Sequence, residues 1–348
     1  MRALLAAGAS PNAAAERLPI LGYVRASALE VACSGGRLDV VSVLLAAGAD
    51  FNAAFAPRWR SPRNLLLWAA QHGHADLVRD LAARGAALEA PDGAAPPLVT
   101  AVANGHAGVA AALLAAGARA DAADAAGVTA LAVAARLGDG ASLAALIAAG
   151  ADVNSRAHDG STPLAAAASN GRQAEVCELL RAGAAVAGCG TSPLAAAARE
   201  GHGEVVRVLL AAGAPVNFVV AGFGALQRDH FFGPVGVTVT PPRLFAGAPA
   251  VDADGDAGLT PLQLASRYGH ADVVSLLLAA GASAADIGTA AGPNALDYAL
   301  ENRHHEVVSL LLASADASCT GGGGAGAGAG AAASATGDPV TFVEPEGC

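Results

Sequence analysis

The chain of 348 residues carries 20 lysine and arginine residues against 30 aspartate and glutamate residues, a formal net charge of -10. Nucleic-acid-binding surfaces neutralise phosphates with basic side chains, so this acidic balance argues against nucleic acid as the main partner. Apolar residues make up 54% of the sequence, but no run approaches the roughly 18 to 20 residues of a membrane-spanning helix, and no integral membrane segment is predicted.

The five cysteines include no CxxC pair, which argues against a disulfide framework and against a zinc site. A reducing compartment, cytoplasmic or nuclear, fits this pattern best. The first residues superficially resemble a targeting peptide, but residues 3–14 match residues 43–54 in the same register, so the chain is expected to open inside a repeated unit. Organelle targeting remains an open alternative.

A short phrase, LLAAGA or a close variant, recurs along the chain and ends each time near a glycine. Successive glycines lie 30 to 40 residues apart, with one step of 68 residues between Gly213 and Gly281. A period centred on about 33 residues, with one step of twice that length, indicates a repeat array that carries an insertion. The glycines of the phrase are Gly8, Gly48, Gly85, Gly117, Gly150, Gly183, Gly213 and Gly281.

One unit near the middle of the chain shows how a repeat is expected to fold. Thr162 and Pro163 suit the start of a helix, the threonine as N-cap and the proline at the first helical position. Gly171 is predicted to end this short alanine-rich helix, and a second helix over about 174–181 is predicted to close at Gly183. Neither helix is long enough to be stable alone, so neighbouring units must bury its apolar face.

A second phrase lies in the first helix of each unit, as STPLAAAASNG from Ser161, TSPLAAAAREGH from Thr191 and LTPLQLASRYGH from Leu259. Together, the two phrases resemble ankyrin repeats over residues 1–317. The resemblance implies an all-α solenoid of helix-turn-helix repeats of about 33 residues joined by hairpin loops. An N-terminal half repeat and about eight full repeats are predicted.

Two segments fall outside this regular pattern. A long insertion is predicted at about 217–255, between two full repeats, and residues 318–348 are predicted to form a disordered Gly/Ala-rich tail. The tail contains a GxGxxG pattern at Gly321, Gly323 and Gly326, but no strand precedes it, so it is interpreted as low-complexity sequence.

Aromatic residues concentrate in two inter-repeat segments, DFNAAFAPRWRSPRN and, within the insertion, QRDHFFGPVGVTVTPP. Aromatic and arginine side chains dominate binding hot spots, so both segments are predicted to contact a partner. The alternative is that these loops fold back and bury their own aromatic side chains on the flank of the solenoid. The candidate partner-binding residues are Arg58, Trp59, Arg60, Arg228, His230, Phe231 and Phe232.

The acidic sequence around Asp256 superficially resembles a calcium loop. Ala257 stands where such a loop needs glycine, and Gln263 cannot supply the closing bidentate carboxylate, so a hairpin tip is the preferred interpretation, as at Asp159. Five histidines at equivalent repeat positions are predicted to satisfy backbone groups rather than to bind metal. They are His74, His106, His202, His270 and His304.

No nucleophile motif or carboxylate pair outside the hairpin tips is present, so neither an enzyme activity nor a cofactor is predicted. The resemblance implies a monomeric, non-catalytic scaffold or adaptor that binds a protein through the concave repeat face and the insertion. Two alternatives stay open. In the first, the chain is the substrate-recognition arm of a larger enzyme, such as a ubiquitin ligase or kinase, and lacks the catalytic part. In the second, the chain is itself an enzyme with a site inside the insertion.

Overall fold

The structure is a computed structural model and describes residues 1–12, 14–15, 26–51, 65–89, 95–187, 191–218, 256, 258–282 and 293–320. Within these ranges, the side chains of residues 14, 15, 26, 34 and 316–320 are not described. Most of the predicted insertion and the chain beyond residue 320 lie outside the described residues.

Within the described residues, short helices occur in pairs after a single helix, α1 (Arg2–Ala6). The first helices of the pairs are α2 (Ala28–Ser34), α4 (Leu65–Gln71), α6 (Pro97–Ala103), α8 (Ala130–Leu137), α10 (Pro163–Ser169), α12 (Pro193–Glu200), α14 (Pro261–Tyr268) and α16 (Ala295–Glu301). The second helices are α3 (Leu38–Ala46), α5 (Ala75–Ala83), α7 (Ala107–Ala115), α9 (Gly140–Ala148), α11 (Gln173–Arg181), α13 (Gly203–Ala211), α15 (Ala271–Ala279) and α17 (His305–Thr320). Two-residue strands β1 (Ala14–Ala15) and β2 (Ala26–Ser27) pair antiparallel.

The chain divides into two compact units. The first contains Met1–Ala134 and Asp139–Asp152, and in it α4 packs on α6, α5 on α7 and α7 on α9. The second contains Ala135–Gly138 and the described residues from Val153 onward. There α10, α12, α14 and α16 pack in succession, and α11, α13, α15 and α17 form a second row. The predicted all-α solenoid of helix-turn-helix repeats is confirmed, although α17 continues past the predicted array boundary at residue 317.

The first helices begin where the sequence predicts them to begin. The Thr162 side chain accepts a hydrogen bond from the backbone N of Ala165 at 3.2 Å, and Pro163 occupies the first turn of α10. Ser192 caps α12 in the same way, and Thr260 forms a capping box with Gln263 at the start of α14. Because a cap satisfies a backbone donor that has no partner inside the helix, each is expected to stabilise the fold by about 1 kcal/mol.

Four histidines at the equivalent repeat position each contact a backbone carbonyl oxygen of the preceding repeat, as predicted. The Nε2–O distances are 3.1 Å for His106 to Gln71, 3.1 Å for His202 to Ser169, 2.9 Å for His270 to Arg199 and 3.0 Å for His304 to Arg267. The insertion separates His270 from Arg199 in sequence, yet their contact matches the others. The insertion therefore leaves a regular repeat interface between α12 and α14.

Two glycines of one repeat provide a matched test of this interface. Gly171 and Gly183 both have positive φ, +67° and +88°, so alanine at either position costs about 1–2 kcal/mol in backbone strain. A Cβ at Gly171 would also lie 2.8 Å from the His202 ring, whereas a Cβ at Gly183 meets nothing within 4 Å. Gly171→Ala is therefore expected to lose about 1–3 kcal/mol more than Gly183→Ala in denaturant unfolding. Equal losses would show that the His202 ring moves aside freely.

The buried cysteines differ from each other in chemistry. Cys33 is free, and its burial, with the nearby charge of Glu30, raises the pKa of its thiol to about 12, so the thiolate is scarce at neutral pH. Cys177 is also buried but is disulfide-bonded, to a cysteine whose side chain is outside the described set. The sequence argues against a disulfide framework and does not predict this bond at Cys177, because the spacing of cysteines in sequence carries no information about which of them meet in space.

Candidate functional site

The seven sequence-predicted partner-binding residues all lie outside the described residues: Arg58, Trp59, Arg60, Arg228, His230, Phe231 and Phe232. The structure does describe the two places where the insertion joins the array. Phe218 is half-buried at the end that follows α13, and Asp256 lies at the end that precedes α14.

Asp256 is fully buried and is surrounded by polar partners from two consecutive repeats. Its Oδ2 lies 2.8 Å from Nε of Arg199, and its Oδ1 lies 3.2 Å from Nη1 of Arg267. The hydroxyl of Tyr268 donates a hydrogen bond to Oδ2 at 2.8 Å. The carboxylate thus joins the ends of α12 and α14 at the point where the insertion returns to the array.

The repeat register explains how these side chains meet. Arg199 and Arg267 occupy the same position in the last turn of α12 and α14. That position holds Ser169 in α10 and Glu301 in α16, so a pair of arginines in successive first helices arises here in the second unit. Because α12 packs directly on α14, the two guanidinium groups reach one carboxylate between them.

Two tyrosines extend this cluster along the same helices. The guanidinium carbon of Arg199 lies 5.6 Å from the centroid of the Tyr268 ring, and that of Arg267 lies 6.0 Å from it. Arg267 is also 5.6 Å from the centroid of the Tyr298 ring on α16. These are cation–π distances, so the rings and guanidinium groups hold each other in place. Arg199, Arg267, Tyr268 and Tyr298 are called the Arg–Tyr patch below.

The Arg–Tyr patch is partly accessible, although its anchor is not. The side chains of Arg199 and Arg267 are 17% and 27% exposed, against 0% for Asp256. Burial raises the pKa of Tyr268, and the hydrogen bond to Asp256 adds to the rise, so this hydroxyl is a donor at neutral pH. Ala196 and Leu264 form a buried apolar floor against which the tyrosine rings pack.

Asp256 and Asp159 are both predicted in hairpin tips, but the environments of their side chains differ. Asp159 is exposed and accepts a hydrogen bond from the backbone N of Ser161 at 2.9 Å, as a turn residue does. Asp256 is instead buried against two arginines. The sequence signal for this cluster is the repeat register, which places an arginine at the same position of α12 and α14, the first helices on either side of the insertion.

A second aromatic cluster lies at the end of α4 and the start of α5 in the first unit. The centroid of the Trp68 ring is 4.6 Å from that of His72 and 5.1 Å from that of His74. Burial lowers the pKa of His74, and the charges of His72 and His106 add to this effect. The cluster follows directly after the segment that contains Arg58, Trp59 and Arg60.

The depressed pKa of His74 predicts acid sensitivity. The folded chain binds this proton less readily than the unfolded chain, so stability is fully present above about pH 6.5 and is lost as the pH falls through the folded pKa. The melting temperature is therefore expected to fall between pH 7.5 and pH 5.5, and to fall less in His74→Gln. His158→Gln, which changes an exposed histidine, is the control. An equal fall in both variants would assign the acid sensitivity to other groups.

Among the described residues, no group of three or more histidine, cysteine, aspartate or glutamate side chains is placed to hold a metal ion. In that same part of the chain, no helix is both long and apolar enough to cross a membrane.

A family profile described as "Ankyrin repeats (3 copies)" matches residues 66–157, 131–219 and 243–320, and one described as "Ankyrin repeat" matches 26–54. Among solved structures, the crystal structure of the human ASB11 ankyrin repeat domain is similar, with a TM-score of 0.56 and 24% sequence identity. The match covers 72% of this chain and 98% of that chain, and it supports the fold alone. No curated protein sequence matches the chain significantly.

Proposed function

Because this chain belongs to the ankyrin repeat family, whose repeats are in general protein–protein interaction modules, we propose that it is a non-catalytic scaffold for a protein partner. The binding surface combines the Arg–Tyr patch with the insertion at about 217–255. The observation that carries this proposal is Asp256, which is buried between Arg199 and Arg267 at the residue where the insertion rejoins the array.

The composition of the Arg–Tyr patch supports its role as a contact surface. Tyrosine and arginine are enriched among the residues that dominate binding energy. Elsewhere in the second unit, the first helices are built from small side chains such as Ala165, Ala166 and Ala196. The Arg–Tyr patch is therefore a place on these helices where arginine and tyrosine side chains are available to a partner.

The anchoring of the insertion supports a joint surface. Asp256 is held against α12 and α14, so the chain is fixed beside the Arg–Tyr patch at the residue that directly follows the insertion. We propose that Phe231 and Phe232 are the main anchors within the insertion, with Arg228 and His230 as polar contacts. Adjacent residues of an extended segment point to opposite sides, so one ring can face the array and the other the partner. Arg58, Trp59 and Arg60 are proposed as a separate, smaller contact.

The test is affinity capture followed by titration of the captured partner. Phe231→Ala/Phe232→Ala and Tyr298→Ala are each expected to weaken binding by about 2 kcal/mol or more, which is about 30-fold in Kd. Arg207→Ala is the matched control, because Arg207 is exposed on the second helix α13 and pairs only weakly with Glu204 across one turn.

Unchanged affinity in both aromatic variants would show that the partner binds elsewhere on the repeats. A loss in Tyr298→Ala alone would keep the Arg–Tyr patch as the site and remove the insertion from it. Thermal unfolding of each variant separates a lost contact from a lost fold.

A further inference from the structure

The last described helix pair, α16 and α17, has leucines that are more exposed than the residues at the same positions of earlier repeats. Leu300 is 55% exposed and Leu312 is 50% exposed. The residues that match Leu300 in α12 and α14 are Ala198 and Ser266, each 0% exposed. The residues that match Leu312 are less exposed as well: Leu180 in α11 is 4% exposed, and Leu210 in α13 and Leu278 in α15 are half-buried. Each earlier pair is covered by the next pair, as α14 is by α16 and α15 by α17.

Two neighbouring positions show the same trend. Leu296 and Val308 are half-buried, whereas their equivalents Leu262 and Val274 are 3% and 0% exposed. Terminal repeats of solenoids normally carry a polar outer face, because no further repeat covers it. Here the chain places leucine at residue 300 where the preceding repeat has serine. Leu296, Leu300, Val308 and Leu312 are called the C-terminal end face below.

The sequence after α17 supplies a candidate cover. Residues 321–348 contain no repeat phrase and begin with a long glycine and alanine run. They then contain the segment Pro339-Val340-Thr341-Phe342-Val343-Glu344-Pro345, in which valine and phenylalanine are the only large apolar residues after Leu312. We propose that residues 339–345 bind the C-terminal end face of the same molecule and replace the missing next repeat.

Chain geometry favours this occupant over a second molecule. A flexible Gly-rich linker of about 18 residues has an r.m.s. span of about 24 Å, which is enough to fold back over α16 and α17. A tether of this kind raises the local concentration of the segment to the order of 1 mM, so even weak binding gives a mostly covered face. In an extended segment, Val340 and Phe342 lie on one side, which gives two apolar contacts for one apolar face.

Hydrogen exchange on the full chain tests the proposal. Backbone amides of Val340–Val343 are expected to exchange about tenfold more slowly in the natural chain than in Leu300→Asp/Leu312→Asp. Both leucines are already about half exposed, so the variant is expected to fold, and its melting temperature verifies this. Phe342→Asp gives the reciprocal test from the tail side and is expected to release the same amides and to expose α16 and α17 to exchange.

A photoreactive residue identifies the occupied surface. With p-benzoylphenylalanine at position 342, cross-links are expected within one molecule and to peptides from α16 or α17. Thr341→Asp is the control and is expected to keep both the protection and the cross-links, because Thr341 lies on the other side of the extended segment. Equal amide exchange in all variants, cross-links between two molecules, or cross-links to peptides from α12 or α14 would each overturn the proposal.

Discussion

Removing residues 219–252 is expected to change the melting temperature by only a few degrees and to abolish most captured partners. The array does not need the insertion, because His270 contacts the carbonyl oxygen of Arg199 at 2.9 Å across it, as the other repeat histidines do. The entropic cost of closing a loop rises slowly with its length, by about 0.6 kcal/mol for each doubling. The deletion also keeps Asp256 and leaves a connection to Asn217 that is close in length to the one joining Asn154 to His158.

A matched deletion makes this result specific. The control deletion removes residues 322–336 from the Gly/Ala-rich run and is shorter than the deletion of the insertion. It leaves the Arg–Tyr patch and the insertion in place, so partner capture is expected to persist. If the insertion deletion instead lowers the melting temperature sharply while partners are still captured, the insertion is packing material and the repeats alone bind the partner. If both stability and capture survive, the Arg–Tyr patch suffices without Phe231 and Phe232.

The local features of the fold could be predicted because each depends on residues close in sequence. Thr162 and Pro163 start a helix through a hydrogen bond three residues away, and the repeat phrase fixes where each pair ends. The period then predicts stacking of like helices, which the structure confirms in both units. These predictions required no knowledge of distant contacts.

The Arg–Tyr patch could not be predicted by the same reasoning, because its members lie on both sides of the insertion in the sequence. The local sequence pattern of Asp256 resembles that of Asp159. This pattern does not indicate the contact of Asp256 with Arg199, which lies on the other side of the insertion in the sequence. A comparison by repeat register brings Arg199 and Arg267 together, but the acceptor between them still depends on how the insertion re-enters the array. Burial of a carboxylate is therefore a property of the tertiary structure here, with only a weak sequence signal.

Asp256→Ala is expected to cost about 3–5 kcal/mol of unfolding free energy, a large effect for one side chain. Removing one member of a buried ion pair leaves the other charges without their partner in a medium that solvates them poorly. Arg199 and Arg267 would then face each other across the vacated site, and the hydroxyl of Tyr268 would lose its acceptor. Denaturant unfolding measures the loss, and a fall in the midpoint at constant slope identifies it as stability.

A second variant distinguishes charge from volume at Asp256. Asp256→Asn keeps the shape and one acceptor oxygen but removes the charge. If the carboxylate charge holds the two arginines, this variant is expected to lose more than half of the unfolding free energy that Asp256→Ala loses. Asp159→Ala is the control, since that aspartate is exposed and lies in a turn, and its loss is expected to stay near 0.5 to 1 kcal/mol. In Arg199→Met/Asp256→Leu/Arg267→Met, much of the stability is expected to return, because apolar packing can replace a buried ionic cluster. A loss below about 1 kcal/mol in Asp256→Ala would mean that water reaches the two guanidinium groups, and that Asp256 does not anchor the insertion to α12 and α14.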